Sequence, residues 1–300
     1  MKNKNKNKMG YFIDLYLKTS YIKNKKSTYT TYQYVINKHI YPYFKDYSKD
    51  SINLSIIIQF INYLSSNGLN NKSIRDILLI LHGILRLMDV KIDIPMPKLE
   101  YHNIKTLSQE NQILLEKYLL SHLSPTNLGI YLSLYTGIRI GELCALNIHD
   151  IDFYHNKITI SHTISRVVSN DNQKKTILIL NSPKTTHSIR EIPLPIFMIP
   201  YFKRINYQED SYILTNTKKF MDSRNLLNHY KKVLKILSMD DYTFHALRHT
   251  FATRCIHEGC DPKTLSEILG HASIKITLER YVHPSYEDKQ VFMNQLKPFA

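Results

Sequence analysis

From Gly10 to about Val90, apolar residues recur three and four positions apart, as in Ile56, Ile57, Phe60, Ile61 and Leu64, and again in Ile74, Ile77, Leu78, Leu81, Ile84 and Leu85. Side chains at that spacing stack on one face of a 3.6-residue turn, so the pattern predicts amphipathic helices. Tyr11, Leu15 and Leu17, then Tyr32, Val35 and Ile36, extend it towards the N-terminus, and Asn67-Gly68 punctuates it. The expectation is a bundle of about four helices over residues 10–90, with the Ile/Leu stripe at 74–85 as its core. Residues 91–106 lose the period and contain Pro95 and Pro97, which marks an extended linker.

A second domain, residues 107–300, follows. Ser108 with Glu110 two positions on reads as a helix start, and helical patterning continues to about Leu146. Lys157–His162, Thr176–Leu180 and Ser188–Leu194 alternate in the manner of strands and are expected to pair in one small antiparallel sheet. Helical spacing returns in Asp222–Leu237 and Thr243–Glu258. Asp261-Pro262 then reads as an N-cap followed by proline at the first helical position, Gly270 as a helix stop and Ser273 as another cap. The predicted class is mainly α, with a small antiparallel β-sheet in the C-terminal domain.

The 300 residues, 43% hydrophobic with 8 Gly and 11 Pro, exclude collagen-like, low-complexity and wholly disordered chains. Forty Lys+Arg against 25 Asp+Glu give a formal net charge of +15, which suits a polyanion. Much of the excess lies near the N-terminus, where residues 1–9 are expected to be a disordered basic leader. The most apolar stretch, Ile77–Met88, is interrupted by His82, Gly83 and Arg86 and is too short to span a bilayer, so no membrane partner is expected and the reading is cytoplasmic. Three cysteines, Cys144, Cys255 and Cys260, imply no disulfide framework. No phosphate-binding GxxxxGK[ST] loop and no compact carboxylate cluster occur. His245 and His249 have the i, i+4 spacing of a zinc site, but Ala246 replaces the required glutamate and Arg248 adds a competing charge. Cys255, His257 and Cys260 lack a second ligand pair. Neither a metal nor a cofactor is expected.

Four segments carry candidate chemistry: TGIRIGELCAL at 136–146, SPKTTHSIREIPL at 182–194, TFHALRHTFAT at 243–253 and LGHASIKITLERYVH at 269–283. On a helix, Phe244, Leu247, Phe251 and Cys255 form one buried stripe, and His245 and Arg248 share the adjacent face. The order Arg, Lys, His-x-x-Arg, His, Tyr in these contexts resembles the tyrosine recombinase (phage integrase) family of DNA strand-exchange enzymes. The likeness of the catalytic domain runs from about residue 107 to 290, whereas residues 10–90 resemble the SAM-like core-binding domain of that family by size, position and helical content.

The resemblance implies a metal-free phosphodiester cleavage. Tyr281 would attack the scissile phosphate, while Arg139 and Arg248 would grip its non-bridging oxygens through their planar guanidinium forks. Lys184 would protonate the departing 5′ oxygen, His245 would assist proton transfer at the nucleophile, and His271 would hydrogen-bond the phosphate. Glu142 would orient Arg139, and His249 would buttress the motif. It also implies double-stranded DNA as partner, a homo-tetramer on two DNA sites, a Holliday junction, and docking of residues 285–300 on a neighbour, with accessory directionality or DNA-bending proteins. Integration or excision of a mobile element is the expected role, with dimer resolution or inversion by the same chemistry as alternatives. A type IB topoisomerase and a non-catalytic DNA-binding regulator of the same fold are the rivals.

Overall fold

The computed structural model describes residues 7–99, 105–168, 176–181, 189–282 and 286–295. The chain divides into two compact units, one comprising Met1–Asn103 with Arg166–Ile177, the other Ile104–Ser165 with Leu178–Ala300.

In the first unit, α1 (Met9–Lys23), α2 (Lys26–Val35), α4 (Leu54–Ser66) and α5 (Asn71–Leu87) enclose one apolar core. α2 runs through a π-helical turn, Ile36–Ile40, into the short α3 (Tyr41–Phe44). Pro42 accounts for the widened turn, because its ring lacks an N–H and displaces the carbonyl four residues back. Asn53 and Asn70 cap α4 and α5 by accepting from the amides of Ile56 and Ser73. The stripe Ile57, Phe60 and Leu64 is fully buried against Ile74, Ile77, Leu78 and Leu81, as the periodicity predicts. Two residues of the expected leader belong to the fold: Met9 is fully buried and Lys8 pairs with Asp46 at 3.5 Å. Residues 1–6 lie outside the described residues.

The second unit opens with α6 (Gln109–Ser121) and α7 (Pro125–Thr136). Most of α7 is buried on every side, which explains why its sequence is apolar all round rather than striped. Gly129 lets it approach so closely that a β-carbon there would lie 2.2 Å from Leu214 Cδ2. Gly137, at φ +61°, ends α7, and α8 (Ile140–Ala145) follows. The predicted helical run is thus three helices, broken at Ser124-Pro125 and at the left-handed glycine.

β1 (Ile151–Asp152), β2 (Lys157–Ile160) and β5 (Arg190–Pro193) form an antiparallel sheet in the order β1-β2-β5, with Ile158 opposite Ile192 and Ile160 opposite Arg190. Contrary to the single sheet expected, β4 (Thr176–Asn181) pairs with β3 (Thr163–Val168) in a separate two-stranded sheet. The alternating TISRVV of β3 supplies the partner that the sequence reading passed over. Then come α9 (Ile199–Ile205), α10 (Ser223–Ile236), α11 (Phe244–His257), α12 (Pro262–Leu269), α13 (Ile274–Tyr281) and α14 (Tyr286–Gln295). Asp222, Asp261 and Ser273 accept from the amides of Arg224, Thr264 and Lys275 to cap α10, α12 and α13. No helix among the described residues is long and apolar enough to cross a membrane.

Phe60 packs edge-on against Phe44 at 4.8 Å and also touches Tyr43. Replacing it with alanine should cost the first unit about 3–5 kcal/mol, read as an earlier urea transition of that unit.

Candidate active site

Seven of the eight side chains singled out in the sequence come together where the ends of α7, α11, α12 and α13 meet. The eighth, Lys184, lies outside the described residues, as do Leu296 and Phe299 of the expected docking segment.

The end of α12 organises the cluster. Gly270, at φ +64°, closes the helix in a Schellman arrangement: its own N–H donates to the Glu267 carbonyl and that of His271 donates to the Ser266 carbonyl. The carbonyls of Ile268, Leu269 and Gly270 are left over, and each takes one guanidinium. Arg190 Nε donates to Ile268 at 2.8 Å, Arg248 Nη2 to Leu269 at 2.8 Å and Arg139 Nη2 to Gly270 at 2.6 Å. Positive charge at a helix C-terminus is also favoured by the helix dipole.

Glu142 completes the arrangement. It receives Arg190 through a two-pronged pair at 3.0 and 2.8 Å, Arg139 Nη1 at 2.8 Å, and the Arg139 backbone N–H at 3.0 Å. The last contact caps α8, so one carboxylate fixes both the helix start and the guanidinium there. Burial alone would raise the Glu142 pKa. The hydrogen bonds and charge of Arg190, helped by Arg139, outweigh it and hold the carboxyl at about 2. Sequence spacing gives Glu142 a link to Arg139 only, whereas its stronger tie is to Arg190.

Arg190 is the residue sequence reasoning missed. Its signal lies in the strand alternation, which places Arg190 on the same inward face as Ile192, with Glu191 and Pro193 outward. An arginine on a buried face calls for a buried carboxylate.

Arg248 is almost fully buried and also donates to the Gly137 carbonyl at 2.7 Å, whereas the Arg139 side chain is 41% exposed. Burial and the Arg139 charge press the Arg248 pKa down to about 9, so it remains a cation at neutral pH. Three guanidiniums therefore face a single carboxylate, and the cluster carries an uncompensated positive charge.

Tyr281, at the end of α13, points its phenol into this cluster and is 7% exposed. Its oxygen makes no close hydrogen bond among the described residues, although the Arg248 guanidinium is near enough to favour its ionised form both by charge and as a donor. Burial raises its pKa above the usual 10, against the pull of Arg248, Arg280 and Arg139. The ring lies parallel to His271 at 6.3 Å and tilted against His249 at 5.4 Å, and His249 in turn meets His245 edge-on at 4.5 Å. Burial lowers the His249 and His271 pKa values to about 4, reinforced by His245, Arg280 and Arg248 for the first and by Arg248, Arg139, Arg280 and Arg190 for the second. His245, at the surface, is lowered in the same sense by desolvation and by Arg248, Arg280 and Arg139. His271 Nδ1 lies 2.7 Å from the hydroxyl of the fully buried Thr277. With the hydroxyl as donor to Nδ1, the ring proton sits on Nε2, which can then donate in turn.

A buried phenol, fixed guanidiniums and neutral imidazoles thus share one pocket with an excess of positive charge. The chain matches the phage integrase family over residues 99–288 and the phage integrase N-terminal SAM-like domain over residues 8–65. It belongs to the phage integrase family. A tyrosine recombinase XerC-like protein of Caldanaerobacter subterraneus subsp. tengcongensis is 36% identical over 167 residues, covering 49% of this chain and 43% of that relative. The ICEBs1 integrase of Bacillus subtilis is 27% identical over 308 residues, covering 93% of this chain and 79% of the relative. Less than half of the first relative's length is therefore matched. Among solved structures, the Tn1549 transposon integrase in complex with circular intermediate DNA has a TM-score of 0.76 at 23% identity, covering 95% of this chain and 99% of the other. A lambda integrase tetramer bound to a Holliday junction has a TM-score of 0.66 at 17% identity, covering 91% and 76%. These two likenesses concern the fold.

Arg190→Gln should cost about 3–5 kcal/mol in urea unfolding, because it leaves Glu142 buried without its main partner. Glu142 also sets an acid limit. A carboxyl held below its unfolded value contributes stability that is complete above about pH 4.5 and is lost as pH falls towards about 2. The contribution at neutral pH is about 3 kcal/mol, and unfolding curves between pH 5 and pH 2 measure it.

Proposed function

We propose that this chain is a site-specific DNA recombinase that cuts and rejoins strands through a 3′-phosphotyrosine intermediate, acting in the integration and excision of a mobile element. One observation carries the reading: a buried phenol sits in the field of Arg248, Arg280 and Arg139, in a cluster where one carboxylate pairs with Arg139 and Arg190 and Arg248 is held only by carbonyls, so the pocket lacks the negative charge a phosphodiester would bring. Membership of the phage integrase family supports the chemistry. The mobile-element role draws support from relatives such as the ICEBs1 integrase and a transposase from transposon Tn916, 28% identical over 186 residues.

In this reading Arg139 and Arg248 bind the two non-bridging oxygens. Part of each guanidinium is already held by protein carbonyls, so the forks are fixed before substrate arrives and little reorganisation accompanies the charge that builds in the transition state. Tyr281 Oη forms a bond to phosphorus as the bond from phosphorus to the 5′ oxygen breaks, and Lys184 supplies the proton that oxygen needs. His271 Nε2–H donates to the phosphate, and the neutral histidines include the acceptor for the phenol proton. The phosphotyrosyl bond conserves the energy of the original linkage, so attack by a different 5′ hydroxyl completes strand exchange. Pairwise exchange through a Holliday junction calls for four protomers on two DNA sites, with α14 and the residues after it docking on a neighbour. Accessory DNA-bending proteins and residence with the nucleoid belong to the same proposal.

Nicked suicide duplexes carrying the recombination site should trap a covalent complex in which Tyr281 bears the nucleotide. Tyr281→Phe should abolish the adduct while leaving duplex binding within about twofold. Arg248→Lys should slow adduct formation by about 100-fold or more, since an ammonium cannot reproduce the fork. An adduct on another residue, or none, refutes the assignment. Relaxation of site-free plasmid without recombinant product would instead favour topoisomerase chemistry.

A further inference from the structure

A threonine inside a helix can turn its hydroxyl back to the carbonyl four residues earlier. Thr19, Thr31 and Thr136 do so, donating to Leu15, Ser27 and Leu132 at 2.8, 2.9 and 2.7 Å. Thr277 on α13 does not. It is fully buried, and among the described residues its hydroxyl shares one hydrogen bond, 2.7 Å long, with His271 Nδ1. The His271 pKa is about 4, so at neutral pH the ring carries a single N–H, on one nitrogen or the other. If Nδ1 held that proton and donated to the hydroxyl, the proton of the hydroxyl would be buried with no acceptor among the described residues, which is costly. If the hydroxyl donates instead, both groups are satisfied and the ring proton falls to Nε2. The charged groups acting on the ring are Arg248, Arg139, Arg280 and Arg190, and a guanidinium accepts no hydrogen bond, so none competes for the ring proton. His271 Nε2 has no partner among the described residues and is not sealed from solvent, so it is the open nitrogen of the ring.

We propose that Thr277 is a positioning residue acting through His271: its hydroxyl donates to Nδ1, confines the ring proton to Nε2 and fixes which way the ring is turned. Half a rotation of the ring would put a carbon in place of Nδ1 and strand the hydroxyl. The inference rests on the recombinase reading, in which Nε2–H donates to the scissile phosphate, and it names what prepares that donor. Thr277 stands one helical turn before Tyr281 on α13. A single helix therefore presents the nucleophile and sets the state of the imidazole that lies parallel to it at 6.3 Å.

The tautomer is read from the ring-nitrogen NMR shifts of His271 in histidine-labelled protein at pH 7 without DNA, with His271→Gln identifying its resonances. The unsubstituted protein and Thr277→Ser should show one tautomer, with the proton on Nε2. Thr277→Val keeps the shape without the hydroxyl, and its shifts should average between two tautomers. In single-turnover adduct formation on nicked suicide duplexes, Thr277→Val should be about tenfold slower and Thr277→Ser within about twofold of the unsubstituted protein. In a His271→Gln background the same valine should cost less than about twofold, because the ring through which Thr277 acts is gone. A proton on Nδ1 in the unsubstituted protein overturns the proposal, and that measurement decides even where the valine variant fails to fold. An unchanged tautomer or full activity in Thr277→Val overturns it too, as does a serine variant as slow as the valine. A valine deficit that persists without His271 marks a purely structural threonine and has the same force. Failure of the unsubstituted protein to form a Tyr281 adduct would instead sink the recombinase reading, while the spectrum still decides the tautomer.

Discussion

Three consecutive carbonyls at the end of one short helix hold the arginine cluster of the second unit together. α12 has only eight residues, and its left-handed closure at Gly270 uses the carbonyls of Ser266 and Glu267. Its last three acceptors fall to arginines from three parts of the chain: Arg190 on β5, Arg248 on α11 and Arg139 just before α8. Like charges gathered this closely would repel one another in the absence of substrate. The helix terminus and Glu142 make the cluster tolerable while leaving it short of negative charge. The fold therefore stores an electrostatic demand, and the proposed chemistry answers it with a phosphate.

The same field governs the histidines. In water an imidazole titrates near pH 6.5, yet His249 and His271 are held at about 4 by burial and by the arginine charges. They are neutral across the physiological range, so each ring carries one N–H donor and one acceptor nitrogen. The cost falls on Tyr281, whose buried phenol is harder to ionise than one in water despite the neighbouring cations. An acceptor beside the phenol is consequently worth more here than it would be at a surface.

Much of this was legible in the sequence where the signal is local. Asp261 before Pro262, Gly270 and Ser273 mark helix ends because a cap depends on a few adjacent residues. The apolar stripes of α4 and α5 show through because a helix face repeats every few positions. The role of Arg190 was hidden because its partner lies 48 residues away, across a boundary between helix and strand. The pairing of β4 with β3 rather than with β2 and β5 was hidden for a related reason, since alternation identifies a strand without naming its neighbour. The three-way break of the helical run up to Leu146 depended on weighing Ser124-Pro125 and Gly137 above a continuous apolar pattern.

The β2–β5 register has a further consequence. Successive strand residues face opposite ways, so a slip by a single position would exchange Arg190 for Glu191 on the inward side. An acid would then be driven among the guanidiniums in place of the base that anchors Glu142. Alignment of these two four-residue strands thus acts as an assembly checkpoint: a molecule that zips them up one notch out of step cancels the charge of its own anion pocket.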